Sequence, residues 1–111
     1  MGLNNRIVIF FRKAIANHGA KVESSKLSAS ATQHKLEILA TGITMKSDAL
    51  LEELGWIPRT HSGLTFNHDF KDGVLQLEVR GPVDKRIKGH LEVAHKYLQQ
   101  RIEKQKKREV E

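Results

Sequence analysis

Leu64-Thr65-Phe66-Asn67-His68-Asp69-Phe70-Lys71, Asp72-Gly73, Val74-Leu75-Gln76-Leu77-Glu78-Val79-Arg80 is the stretch whose reading decides the fold. Two alternating segments flank a dipeptide that favours the left-handed backbone of a two-residue turn, so the stretch predicts a tight β-hairpin. A two-residue turn puts 71 opposite 74, which makes Phe70–Leu75, His68–Leu77 and Phe66–Val79 share one face. Thr65–Arg80, Asn67–Glu78 and Asp69–Gln76 share the other. Turn chemistry and apolar patterning therefore agree on one register.

Upstream of the hairpin, residues 33–41 alternate in the same way. His34, Leu36, Ile38 and Ala40 form an inward set, Leu39 alone breaks the pattern, and Gly42 ends the strand. Residues 20–31 are rich in Ser and Ala. Val22 and Leu27 have opposite parity there, which predicts a slip, bulge or turn between them. Residues 4–18 read as a helix, because Leu3, Ile7, Phe10, Phe11, Ala14 and Ile15 recur at helical spacing. Asn4 is the expected cap, Gly19 the expected stop, and Ile9 falls off the apolar face.

A short helix is expected from Ser47, with Asp48 in its first turn, Ala49, Leu50, Leu51 and Leu54 as its apolar side, and Gly55 closing it. Trp56-Ile57-Pro58 then leads outward into a polar loop, Arg59-Thr60-His61-Ser62-Gly63. After the hairpin, Gly81-Pro82 breaks the strand and Asp84 caps a long final helix. Ile87, Leu91, Ala94, Leu98 and Ile102 make its inward stripe. A faint echo at an offset of 39 aligns Leu36, Ile38, Ala40, Gly42 and Lys46 with Leu75, Leu77, Val79, Gly81 and Lys85, and suggests two strand–strand–helix halves.

The expected architecture is an α+β fold, order α-ββ-α-ββ-α, with an antiparallel sheet of about four strands and helices on one face. The 111 residues suit a single domain over 1–103, with a polar, basic extension of the last helix over 104–111. No cysteine is present, which excludes disulfides, thiol catalysis and iron–sulfur ligation. The longest apolar run, Ile7 to Phe11, is too short to span a bilayer, so no membrane partner and a cytoplasmic location are expected.

The formal charge is +6, from 19 Lys+Arg and 13 Asp+Glu. Residues 84–111 hold nine basic and five acidic side chains, so +4 of the excess lies in the last quarter. This directs attention to DNA or RNA phosphates as partner. The candidate contact residues are Lys85, Arg86, Lys88, Lys96, Arg101, Lys104, Lys106, Lys107 and Arg108 on the final helix, with Arg59 and His61 in the 59–63 loop. Trp56 is either a base-stacking platform or a core plug.

The outward sheet face lacks the aromatics on which single-strand readers stack bases, so contact is expected to be electrostatic. A second expectation is a protein-binding adaptor, inhibitor or chaperone-like module, acting as a homodimer or on another chain. An enzyme built on His61 and His68 ranks third. His68 and Asp69 point to opposite strand faces, and adjacency of His61 and Ser62 does not orient a base toward a hydroxyl. The histidine spacings do not suit a metal site, and neither cofactor nor catalytic residue is expected.

Overall fold

A computed structural model describes residues 5–60 and 63–110, apart from the side chains of 58–60 and 108–110. Its elements are α1 (Arg6–His18), β1 (Lys21–Ala29), β2 (Gln33–Thr41), α2 (Ser47–Thr60), β3 (Thr65–Lys71), β4 (Val74–Pro82) and α3 (Lys85–Val110). This is the α-ββ-α-ββ-α order, with one antiparallel four-stranded sheet ordered β1-β2-β4-β3. The second strand of each ββα half lies at the centre, and the first strand of each forms an edge.

The hairpin has the anticipated register, from Lys71↔Val74 through Phe70↔Leu75 and Phe66↔Val79 to Thr65↔Arg80. Asp72 and Gly73 both take positive φ, 54° and 77°. That pair of angles matches the right-handed twist of the strands it joins. In β1 the register shifts between Val22 and Ser24, leaving Glu23 as the extra residue of a bulge. The bulge restores the parity that the sequence breaks: Val22 pairs with Ala40 and Leu27 with Leu36, both inward.

The core lies between the inward sheet face and the helices. Leu36, Leu75 and Val79 from the sheet meet Ile7, Phe10 and Phe11 of α1, Leu50, Leu54 and Ile57 of α2, and Leu91 and Leu98 of α3, all essentially fully buried. Burying each large apolar side chain contributes about 1.5–3 kcal/mol. The Phe10 and Phe11 rings meet edge to face at 4.9 Å. The Cα radius of gyration is 13.5 Å.

Three local expectations are corrected. The cap of α1 is Asn5, whose side-chain oxygen accepts from the Ile7 and Val8 N–H groups. Asn5 also donates from Nδ2 to the His90 carbonyl at 2.8 Å, so it ties α1 to α3 while capping. Gly19 ends α1 in left-handed geometry, φ 64°, as expected.

Next, α2 does not stop at Gly55 but continues through Trp56, Ile57 and Pro58 to Thr60. Leu50, Leu54 and Ile57 are spaced four and three apart, and Ile57 is 0% exposed. Burying Ile57 outweighs the roughly 1 kcal/mol that a helix-interior glycine costs. Pro58 forfeits one backbone bond close to the helix end. Arg59 and Thr60 consequently belong to the helix rather than a loop, while His61 and Ser62 lie outside the described residues.

Finally, β4 runs through Gly81 to Pro82, pairing with His34 and Gln33. Gly81 is buried where a Cβ would collide with Ile87 and come within 2.9 Å of Leu64, so the close approach of α3's first turn requires glycine there.

Candidate nucleic-acid interface

The final helix begins where expected. Asp84 Oδ1 accepts from the Arg86 N–H at 2.7 Å, and the Asp84 carbonyl accepts from Lys88 N–H at 2.8 Å. From there α3 runs 26 residues, about 39 Å at 1.5 Å per residue. It crosses the inward face mainly over β1. The stripe Ile87, Leu91, Ala94, Leu98, Ile102 is buried, which turns the opposite half of the helix outward.

That outward half carries the basic residues. Lys85, Arg86, Lys88, Lys96, Lys104, Lys106 and Lys107 are all exposed. Lys85, Lys96 and Lys107 are eleven residues apart, three turns plus about 20°, so they form one ridge with steps of about 16.5 Å. Arg86 and Lys104 flank the ridge about 80° to one side, and Lys88 and Lys106 about 80° to the other. Glu103 falls on the ridge itself, within about 20° of its axis and four residues before Lys107, while Glu92 stands about 40° off toward Lys88, which pairs with it at 3.7 Å. Among the described residues, no other Lys or Arg of α3 has an ion-pair partner. The ridge with its Arg86–Lys104 flank is therefore predominantly basic, five cations against Glu103, and none of the five is ion-paired among the described residues.

The other candidates do not join this surface. Arg101 turns toward the body of the protein; it is half-buried, and its Nε is buried with no hydrogen-bond partner. Trp56 lies on α2, which is separated from α3 by α1. It is 40% exposed, and the Arg6 guanidinium stacks over its ring at 5.1 Å. The indole is thus neither a core plug nor a bare platform. The side chains of Arg59 and Arg108, and all of His61, lie outside the described residues.

The histidines have other uses. His34 is buried in β2. His68 shares the inward face with Leu77 but is exposed, because β3 is an edge strand that α2 covers only in part. His95 Nδ1 lies 2.8 Å from Ser25 Oγ. Such a pairing resembles a base beside a nucleophile, but Ser25 is only 8% exposed and lies on the strand beneath α3. A substrate has no approach to its hydroxyl.

Sequence reading missed this clamp between α3 and β1. Gln99 Nε2 donates to the Ser25 carbonyl at 2.9 Å. Gln105 accepts from the Val22 N–H at 3.0 Å and donates to its carbonyl at 2.7 Å. The partners stand 74 and 83 residues apart, so no local pattern announces them.

The open sheet face forms a shallow hollow of about 550 Å³. Successive cross-strand rows read Ser28–Lys35–Arg80–Thr65, Lys26–Glu37–Glu78–Asn67 and Ser24–Leu39–Gln76–Asp69. Glu37 and Glu78 face each other directly, an unfavourable pairing. Lys35 offsets it, 3.3 Å from Glu37, as does Arg80, which hydrogen-bonds Glu78 through Nε. That bond holds the Glu78 carboxyl below its ordinary range and raises Arg80. With Lys26 opposite Glu37, these three rows carry three cations and three carboxylates, whose charges cancel, and Lys71 extends the face toward the turn. Among the described residues, no helix is long and apolar enough to cross a membrane. No protein-family model matches the chain, and no curated protein matches it.

Proposed function

We propose that this protein is a non-enzymatic binder of nucleic-acid phosphates, and that the contact surface is the outward ridge of α3. The observation that carries this reading is the excess of unpaired cations on the outward side of that helix. Among the described residues, Lys85, Lys96, Lys107, Arg86 and Lys104 share an exposed side without ion-pair partners; Glu103 is the one carboxylate on that side, and Glu92, paired with Lys88, stands at its border. Unpaired cations release condensed counterions when they meet a polyanion, and this supplies affinity without base recognition. A rigid helix of about 39 Å holds these charges over roughly one turn of a duplex.

The test is fluorescence anisotropy of a labelled duplex with two triple variants of equal net charge. One removes the ridge, Lys85→Gln, Lys96→Gln and Lys107→Gln. The other removes Lys26, Lys46 and Lys71 in the same way. The ridge variant is expected to lose at least tenfold in affinity, with far less lost in the control. Equal losses, or no binding by the wild-type chain, would overturn the proposal.

A further inference from the structure

The two edges of the sheet differ. At β1, the Gln105 amide occupies both backbone groups of Val22, Gln99 occupies the Ser25 carbonyl, and the bulge at Glu23 interrupts the ladder. Side-chain amides from α3 thus stand where another strand would pair. Such capping and bulging blunt an edge against association.

At β3 the edge is open. The two-residue turn makes Lys71↔Val74 a hydrogen-bonded pair, and pairing alternates from there. The N–H and C=O groups of Phe66, His68 and Phe70 therefore point away from β4. Among the described residues nothing pairs with them, since the sheet ends at β3. Phe66 and Phe70 are half-buried against the core. Leu51 of α2, 45% exposed, lies beside Phe70 in a hollow of about 250 Å³ between α2 and β3.

We propose that β3 is a homodimer interface, pairing antiparallel with β3 of a second copy about a two-fold axis at His68. The sheet would then run through eight strands, four from each copy.

Self-complementarity favours a second copy over an unrelated strand. A two-fold axis normal to the sheet pairs residues whose numbers have a constant sum, and only Phe66, His68 and Phe70 offer free backbone groups. The one register that uses all three puts His68 opposite itself and Phe66 opposite Phe70 of the second copy. It forms about six backbone hydrogen bonds, two for each hydrogen-bonded pair. On the inward face it creates two Phe–Phe cross-strand pairs beside the Leu51 hollow. On the outward face Asn67 meets Asp69, and Thr65 meets Lys71, so no like charges stand directly opposed. A shift of one pair toward the turn would set Asp69 against Asp69. The interface lies at the sheet edge remote from α3, so it does not depend on the phosphate-binding reading.

Sedimentation equilibrium of the full chain is expected to give twice the 12.6 kDa chain mass. His68→Pro removes an N–H that bonds nothing within the monomer, at an edge position where proline is tolerated. This variant is expected to be monomeric with an unchanged circular dichroism spectrum. Because the chain has no cysteine, His68→Cys introduces a unique thiol on the axis. Opposed Cα atoms of about 5.5 Å separation suit a disulfide, so mild oxidation should cross-link it. Thr65→Cys places its thiols about 20 Å apart and should not cross-link. A wild-type chain that stays monomeric overturns the proposal, as does a dimer that survives His68→Pro or cross-links equally through position 65. Should His68→Pro fail to fold, the cysteine pair decides: cross-linking at 68 alone supports the interface, and its absence refutes it.

Discussion

Salt sensitivity gives the phosphate-binding reading a number. Lys85, Lys96 and Lys107 form the ridge, and Arg86 and Lys104 stand on its acid-free side, all exposed and without ion pairs among the described residues. If these five each neutralise one duplex phosphate, log K should fall against log salt with a slope of about −0.9 × 5, near −4.5. Raising salt from about 50 to 200 mM changes log salt by about 0.6 and should weaken binding by a factor of about 10^2.7, near 500-fold. Removing one member, Lys96→Gln, should reduce the slope to about −3.6. Lys88→Gln should change it much less, since Glu92 already engages that ammonium at 3.7 Å. Anisotropy titrations of a labelled duplex at several salt concentrations yield both slopes. A wild-type slope shallower than about −2 would mean that fewer than three phosphates are engaged, and the ridge would not be the contact surface. A Lys88→Gln slope that fell as far as that of Lys96→Gln would refute the assignment of sides.

Two further predictions concern groups off the ridge. Arg101 Nε is buried without a partner, so Arg101→Met should stabilise the fold by about 1 kcal/mol in urea unfolding; a loss of that size would show that the guanidinium is satisfied after all. The hydrogen bond from Arg80 holds the Glu78 carboxyl below its ordinary value of 4.5, so its contribution to stability is present above that value and lost as pH falls through the lowered one. Arg80→Gln should therefore move the Glu78 titration upward by NMR, and unfolding of the two proteins should converge in acid; an unmoved Glu78 midpoint would remove Arg80 as the cause.

Much of the fold was legible because its determinants are local. Asp72-Gly73 between alternating segments specifies the hairpin and its register, since a two-residue turn allows one pairing and the apolar parity agrees. The opposed parity of Val22 and Leu27 announced a slip, bulge or turn between them, and the structure resolves it as a bulge at Glu23. Asp84 before an apolar stripe located the start of α3, and helical periodicity alone set Lys85, Lys96 and Lys107 opposite that stripe, with Arg101 on its flank.

The misjudged features are those in which distant packing overrides a local signal. Gly55 and Pro58 are ordinary stop signals, yet α2 passes through them because Ile57 is buried once the sheet is beneath it. His68 has the parity of a core residue but is exposed, because strand order made β3 an edge. Arg6 over Trp56, His95 with Ser25, and Gln105 with Val22 join residues 50 or more positions apart, and no window of sequence contains both partners.

The amino-acid order by itself thus determined the element types, the hairpin register and the sidedness of the basic helix, all consequences of turn geometry and of the 2.0 and 3.6 residue periods. Which edge of the sheet is sealed and which is open was decided only in three dimensions. Those outcomes depend on where α3 comes to lie across β1, and that placement follows from burying every element's apolar face at once rather than from any one segment.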